Sequence, residues 1–151
     1  MILALDCATK TGWCLMDNGR VHSSGVQDFT RARGESNGAM FLRFRHWLTT
    51  LLARQGNVKL VVYEQAHFRW GAATEITVNL TGRVQEVCNL AGIEYVPVHT
   101  ATLKKHATGK GLADKAEMML QARSILRRLP VDDNEADAVL LARYAWEKYG
   151  V

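Results

Sequence analysis

The sequence predicts an α/β chain built on a mixed five-stranded sheet, an antiparallel meander followed by parallel strands, with helices on both faces. Three observations carry this. Residues 2–5 form an unbroken apolar run, the mark of a strand buried on both faces. Asp17-Asn18-Gly19 lies between two strand-like segments, and Asn-Gly tolerates the positive φ of a tight hairpin. A second buried strand, residues 58–64, apolar but for Lys59 and its closing Glu64, follows a helical stripe, which makes a βαβ unit with parallel strands and a right-handed crossover.

In chain order, residues 2–6 are the opening strand, 11–16 the second and 20–29 the third. Residues 30–38 are polar and contain two glycines, and read as a loop. Phe41, Phe44, Leu48, Leu51 and Leu52 share one helical stripe, so a helix is expected over 35–55, stopped by Gly56. The fourth strand covers 58–64, and 65–71 is an aromatic and polar loop. Ile76, Leu80, Val84, Val87 and Ala91 mark a second helix that stops at Gly92. Gly82 inside it costs about 1 kcal/mol relative to Ala and suggests close contact with another helix, within the chain or across a dimer. Residues 93–98 form a fifth strand, and Pro97 puts it at an edge or a strand end. Residues 99–111 read as a basic, glycine-broken loop, 113–128 as a helix closed by Pro130, and 131 onward as the last helix.

With 151 residues, 48% of them hydrophobic, the chain suffices for one domain spanning 1–151. It has no run of 18 apolar residues, so no membrane span is expected, and no signal-peptide pattern precedes the first strand. Cys7, Cys14 and Cys88 are odd in number and form no CxxC pair. They point to a reducing, cytoplasmic interior rather than to a zinc or disulfide framework. A net charge of +4 favours a polyanionic partner.

The chemistry lies in the acids. Asp6 and Glu64 each end a buried strand, and parallel pairing would set them side by side. Adjacent carboxylates repel unless one is protonated or a cation lies between them. Asp137 lies on the inward stripe of the last helix with Ala138, Leu141 and Ala145, where a carboxylate needs a partner. Asp133 and Asn134 precede it by one turn and can share its face. Asp132 or Asp133 suits the N-cap. Hard oxygen ligands of this kind suit Mg²⁺ or Mn²⁺ rather than zinc, and two such ions can drive phosphodiester hydrolysis. Lys104, Lys105, Lys110 and Lys115 concentrate positive charge within twelve residues, and the glycines of the basic segment do not match a P-loop. Phe68 and Trp70 flank Arg69, a set suited to stacking on bases or wedging between them.

Taken together, the opening ILALDCATKTGW, the VVYEQ at the second acid, Gly82-Arg83, Tyr95-Val96-Pro97, LKKHATGKGLADK and the closing DDNEADAVLLA resemble the RuvC family of Holliday junction resolvases, within the RNase H-like superfamily. The resemblance spans nearly the whole chain and is strongest to compact phage-type members. It implies an RNase H-like fold in which Asp6, Glu64 and Asp137 hold two Mg²⁺ ions per site, with Mn²⁺ able to substitute. The family's fourth acid falls at Asn134 here, and Asp133 is the alternative source of that charge. Lys115 matches a lysine near the scissile phosphate, with a role in phosphate binding or proton transfer. The family's junction-core aromatic falls at His67, which leaves Phe68 or Trp70 for that role.

The implied activity is a divalent-metal-dependent endodeoxyribonuclease. It would resolve four-way DNA junctions by paired symmetric nicks as a homodimer, in a bacterial or phage-infected cell. Lys104, Lys105, Lys110 and Lys115 would neutralise DNA phosphates. Two other readings stay open: an RNase H-like nuclease for other branched DNA or RNA, as in the YqgF relatives, and a junction-binding protein with a degraded metal site. The opening motif also resembles sugar-kinase and actin-like ATPases, but those need a second such domain and a second phosphate loop.

Overall fold

The structure is a computed structural model that describes residues 1–67 and 71–151. The chain folds as β1 (Ile2–Asp6), β2 (Lys10–Asp17), β3 (Arg20–Asp28), α1 (Asn37–Gln55), β4 (Leu60–Glu64), α2 (Ala72–Ala91), β5 (Glu94–Val98), α3 (Thr100–Thr108), α4 (Lys115–Leu126) and α5 (Asp133–Tyr149). The strands form one sheet in the order β3-β2-β1-β4-β5. β1, β2 and β3 pair antiparallel, whereas β1, β4 and β5 pair parallel. The β2–β3 turn has positive φ at both Asn18 and Gly19, as expected of an Asn-Gly hairpin. Pro97 sits in edge strand β5, where its missing N–H leaves no gap inside the sheet.

Successive strand residues face opposite sides, and the two cores follow that parity. Leu3, Leu5, Leu15 and Val61 pack with Phe44 and Leu48 of α1 and with Leu80 and Val84 of α2. Ile2, Ala4, Cys14, Met16, Leu60 and Val62 pack on the other side with Leu103 of α3, Met118 of α4, and Val139 and Leu141 of α5. β1 is therefore buried on both faces, which explains why its sequence is an unbroken apolar run rather than an alternating one.

Local capping sets the helix limits. Ser36 accepts a hydrogen bond from the Ala39 N–H, so α1 starts two residues after the expected Glu35. Asp114 caps α4 in the same way, and Arg127 ends it in a left-handed conformation, so α4 is shorter than the expected 113–128. The basic segment read as a loop contains helix α3. Leu103 is the one buried residue in that helix, too sparse an apolar pattern to reveal a period. No atom lies within 4 Å of where a Cβ on Gly82 would sit. Gly82 therefore makes no close helix contact among the described residues, contrary to that half of its expectation. No described helix is long and apolar enough to cross a membrane. Phe68, Arg69 and Trp70, read above as DNA-contacting, lie outside the described residues.

Candidate functional site

Parity in two neighbouring strands aims two acids at the same place. Asp6 follows Ile2 and Ala4 in alternation, and Glu64 follows Leu60 and Val62, all of which face α5. The parallel register pairs Leu5 with Tyr63, so the next residues, Asp6 and Glu64, emerge together at the strand ends.

Helix α5 supplies the third acid, and a glycine lets it come close enough. A Cβ on Gly12 of β2 would lie 1.9 Å from the Asn134 carbonyl oxygen, so only glycine permits this crossing. Gly12 pairs with Asp6 across the sheet. The contact therefore brings the first turn of α5 over the end of β1, and Asp137 turns inward one turn later. Carboxylate oxygens of Asp6, Glu64 and Asp137 all lie within 4.8 Å of one another, and all three residues are half-buried.

The electrostatics of this trio are unfavourable for the polypeptide alone. Burial, and then the charges of Glu64, Asp137, Asp133 and Asp132, push the Asp6 carboxyl well above its ordinary range. Burial together with Glu64 and Asp133 pushes Asp137 up to about 7, against the opposing pull of Lys104 and Lys115. Among the described residues, none of the three acids forms an ion pair. Converging carboxylate oxygens without a cationic side chain match the hard-ligand set of Mg²⁺ or Mn²⁺. The residues present fit a divalent ion.

Around the trio, Glu64 is anchored. The Thr100 hydroxyl at the start of α3 donates to Glu64 Oε1, and His67 Nε2 contacts Thr100 Oγ1 at 2.5 Å. A cleft of about 410 Å³ opens above, lined by Asp6, Glu64, His67, Thr77, Thr100 and Lys104 among others. Lys115 Nζ lies 3.2 Å from Asp133 Oδ2. Asp133 thus faces a lysine and is not part of the 4.8 Å cluster, although its charge is felt by Asp6 and Asp137. Asp132, not Asp133, is the N-cap of α5. Asn134 meets Gly12 through its backbone. Lys105 is exposed on α3, and Lys110 pairs at 3.4 Å with Glu117 on the surface.

Three residues of structural weight were not singled out from sequence. Thr100 is a polar residue at a helix start with no distinguishing neighbour. Gly12 fell inside the second strand, with nothing in the sequence to mark it as the point where a helix crosses. Glu135 blended into an acidic helix start that suits the macrodipole, yet its side chain is fully buried. Arg128 binds both its oxygens, and the Val131 N–H and Ser24 hydroxyl donate to it as well. Burial pushes Glu135 up, but these bonds outweigh it and hold the carboxyl below its usual range.

No known family model and no curated protein matches the sequence. Solved structures do match the fold. RuvC of Thermus thermophilus superposes with a TM-score of 0.78 at 20% identity, over 99% of this chain and 96% of that one. T. thermophilus RuvC in complex with Holliday junction substrate superposes at 0.79 and 20%, over 94% and 90%. The yeast mitochondrial Holliday junction resolvase Ydc2 superposes at 0.66 and 13%, over 94% and 75%. The chain has the RNase H-like fold of RuvC, as its sequence resemblance implied.

Proposed function

We propose that the protein is a structure-selective endodeoxyribonuclease that resolves four-way DNA junctions by paired symmetric nicks. The observation that carries this reading is the convergence of Asp6, Glu64 and Asp137 within 4.8 Å. It is supported by a fold shared with T. thermophilus RuvC, solved in complex with Holliday junction substrate, and with the yeast Holliday junction resolvase Ydc2. The three acids would hold Mg²⁺, with Mn²⁺ able to replace it. Once bound, the cation pair would activate water and stabilise the leaving 3′ oxygen of the phosphodiester.

Each neighbouring group then has a role. Thr100 fixes one oxygen of Glu64, which leaves the other free to turn inward. Lys104 projects into the cleft beside the acids, where a scissile phosphate would sit. Lys115 can exchange its Asp133 contact for a DNA phosphate and stabilise charge or carry a proton there. Lys105 and Lys110, both exposed, would neutralise flanking phosphates, and Phe68, Arg69 and Trp70 would meet unstacked bases. A four-way junction has two-fold symmetry, so a homodimer in the cytoplasm would place one site on each of two opposed strands.

The test is cleavage of labelled four-way, flap, duplex and RNA substrates in Mg²⁺, with the nicks mapped on every strand. Symmetric nicks on the four-way substrate are expected. The Asp6→Asn protein should bind the junction and leave it uncut. Equal cleavage by Asp6→Asn would remove the metal assignment, and equal cutting of flaps or RNA would remove the junction assignment.

A further inference from the structure

We propose that a second, arginine-lined pocket on the far flank of α5 binds the phosphodiester backbone of DNA. The pocket holds about 760 Å³ and takes in Arg20 and His22 of β3, Arg127 and Arg128 after α4, and Arg143 of α5. Ser23 and Ser24 complete its wall, the Ser24 hydroxyl being already donated to Glu135. It shares no residue with the cleft above the acids.

Arg128 is paired, but the charge of the other three arginines is uncompensated. The acid that reaches it, Glu135, is already saturated by Arg128, Ser24 and the Val131 N–H. Among the described residues, Arg20, Arg127 and Arg143 form no ion pair. Arg143 is instead braced against the Trp146 ring, 5.6 Å from its centroid. Arginine forks match phosphate oxygens in geometry and charge.

The chain also spends backbone conformation to put an arginine here. Helices α1, α2, α3 and α5 each end on a left-handed glycine, Gly56, Gly92, Gly109 and Gly150. Helix α4 ends on Arg127 in the same conformation, at φ 58°. A side chain other than glycine or asparagine is disfavoured there, so its guanidinium has a use that glycine lacks.

Position argues for DNA as the source of the phosphate. Ser24 pairs with Cys14 of β2, whose side chain faces α5. The pocket therefore opens on the same sheet face as Asp6 and Glu64. Arg143 follows Asp137 by six residues, roughly 9 Å along α5. Arg20 pairs with Asp17 at the hairpin end of the sheet, five residues along β2 from the Gly12 that pairs with Asp6, or roughly 17 Å, so a strand whose scissile bond lay at the acids would reach the pocket a few phosphates further on. Choosing DNA rests on the nuclease reading above, whereas the pocket's affinity for phosphate does not.

The test uses the Asp6→Asn protein, which should hold its substrate uncut, with and without Arg20→Ala and Arg127→Gly. Both changes are at exposed positions, and glycine keeps the helix end; a thermal melt checks the fold. Four-way junction binding is titrated by anisotropy from 50 to 300 mM salt. Loss of two phosphate contacts should flatten the log–log salt slope by about 2 and weaken binding about tenfold or more at low salt. ATP and inorganic phosphate are titrated in parallel, with the arginine Nε–H resonances followed by NMR. An unchanged slope together with ATP or phosphate saturation of the parent alone would overturn the DNA assignment in favour of a free phosphate compound. No response to any of the three would overturn the pocket. Because cleavage is measured separately on the wild-type protein, loss of the nuclease reading would be seen independently of either result.

Discussion

Replacing Asp137 with asparagine should stabilise the metal-free protein at pH 8 and abolish its stabilisation by Mg²⁺. The Asp137 carboxyl titrates at about 7 in the fold, against an ordinary value of 3.8. Below pH 4 it carries a proton whether the chain is folded or not, so it contributes nothing. As pH rises from 4 to 7 the unfolded chain ionises while the folded chain holds its proton, and stability falls. Above 7 the penalty is complete. At about 1.36 kcal/mol for each pH unit between the two values, it has a ceiling of ~4 kcal/mol. Asp137 is half-buried, and partial hydration reduces this to ~1–2 kcal/mol, or ~2–8 °C in a chain of this size. The wild type should recover the loss when Mg²⁺ binds, gaining about 2.7 kcal/mol at a hundred times Kd.

The assay is a set of circular-dichroism melts at pH 8 and pH 4, in chelator and in Mg²⁺. Asp137→Asn should melt higher than wild type in chelator at pH 8, show no difference at pH 4, and not respond to Mg²⁺. A lower melting temperature at pH 8, an equal gain at pH 4, or a preserved Mg²⁺ response would refute the claim that this carboxyl is held in the fold at a cost that a cation relieves.

Other substitutions probe the scaffold around the site. Gly12→Ala puts a methyl 1.9 Å from a backbone oxygen and should cost about 3 kcal/mol or more by overpacking, read as a lower urea midpoint; near-wild-type stability would mean that α5 can lift away freely. Thr100→Val removes the hydroxyl that anchors Glu64 and should lower Mn²⁺ affinity about 10–100-fold by calorimetry, with Thr100→Ser restoring it; equal affinity in both variants would reduce Thr100 to packing. Glu135→Gln removes the charge on which Arg128 converges and should cost ~2–3 kcal/mol in denaturant. Lys110→Ala, at an exposed pair, should change stability by less than about 1 kcal/mol, and a larger effect there than at Glu135 would invert the ranking of the two ion pairs.

What could be read from the sequence, and what could not, follows from the range of the signal. β1 announced itself because burial on both faces leaves only apolar residues from Ile2 to Leu5, and the hairpin because Asn18-Gly19 satisfies a purely local φ requirement. The acids at residues 6, 64 and 137 were visible because a charge at the end of an apolar run or on an apolar stripe breaks a short pattern. Helix α3 was hidden because only Leu103 of its nine residues is buried, so no period exists to detect. The Thr100–Glu64 and Gly12–Asn134 contacts join segments far apart in the chain, and no local rule encodes which partner a hydroxyl or a missing Cβ will meet.

Helix α5 contains two solutions to the problem of a buried carboxylate, two residues apart, and their difference locates the function. Glu135 points one way and is neutralised by Arg128, a hydroxyl and a backbone N–H, so folding alone satisfies it. Asp137 points the other way and meets Asp6 and Glu64 instead. Lys104 and Lys115 lie near enough to pull on its proton, yet neither closes an ion pair with any of the three; Lys115 pairs with Asp133. A chain able to place arginine against Glu135 could place one against Asp137, and would be more stable for it. Left open, the trio keeps converging oxygen atoms that could serve a cation as ligands. The same helix thus separates an acid that holds the fold together from one that the fold must hold apart.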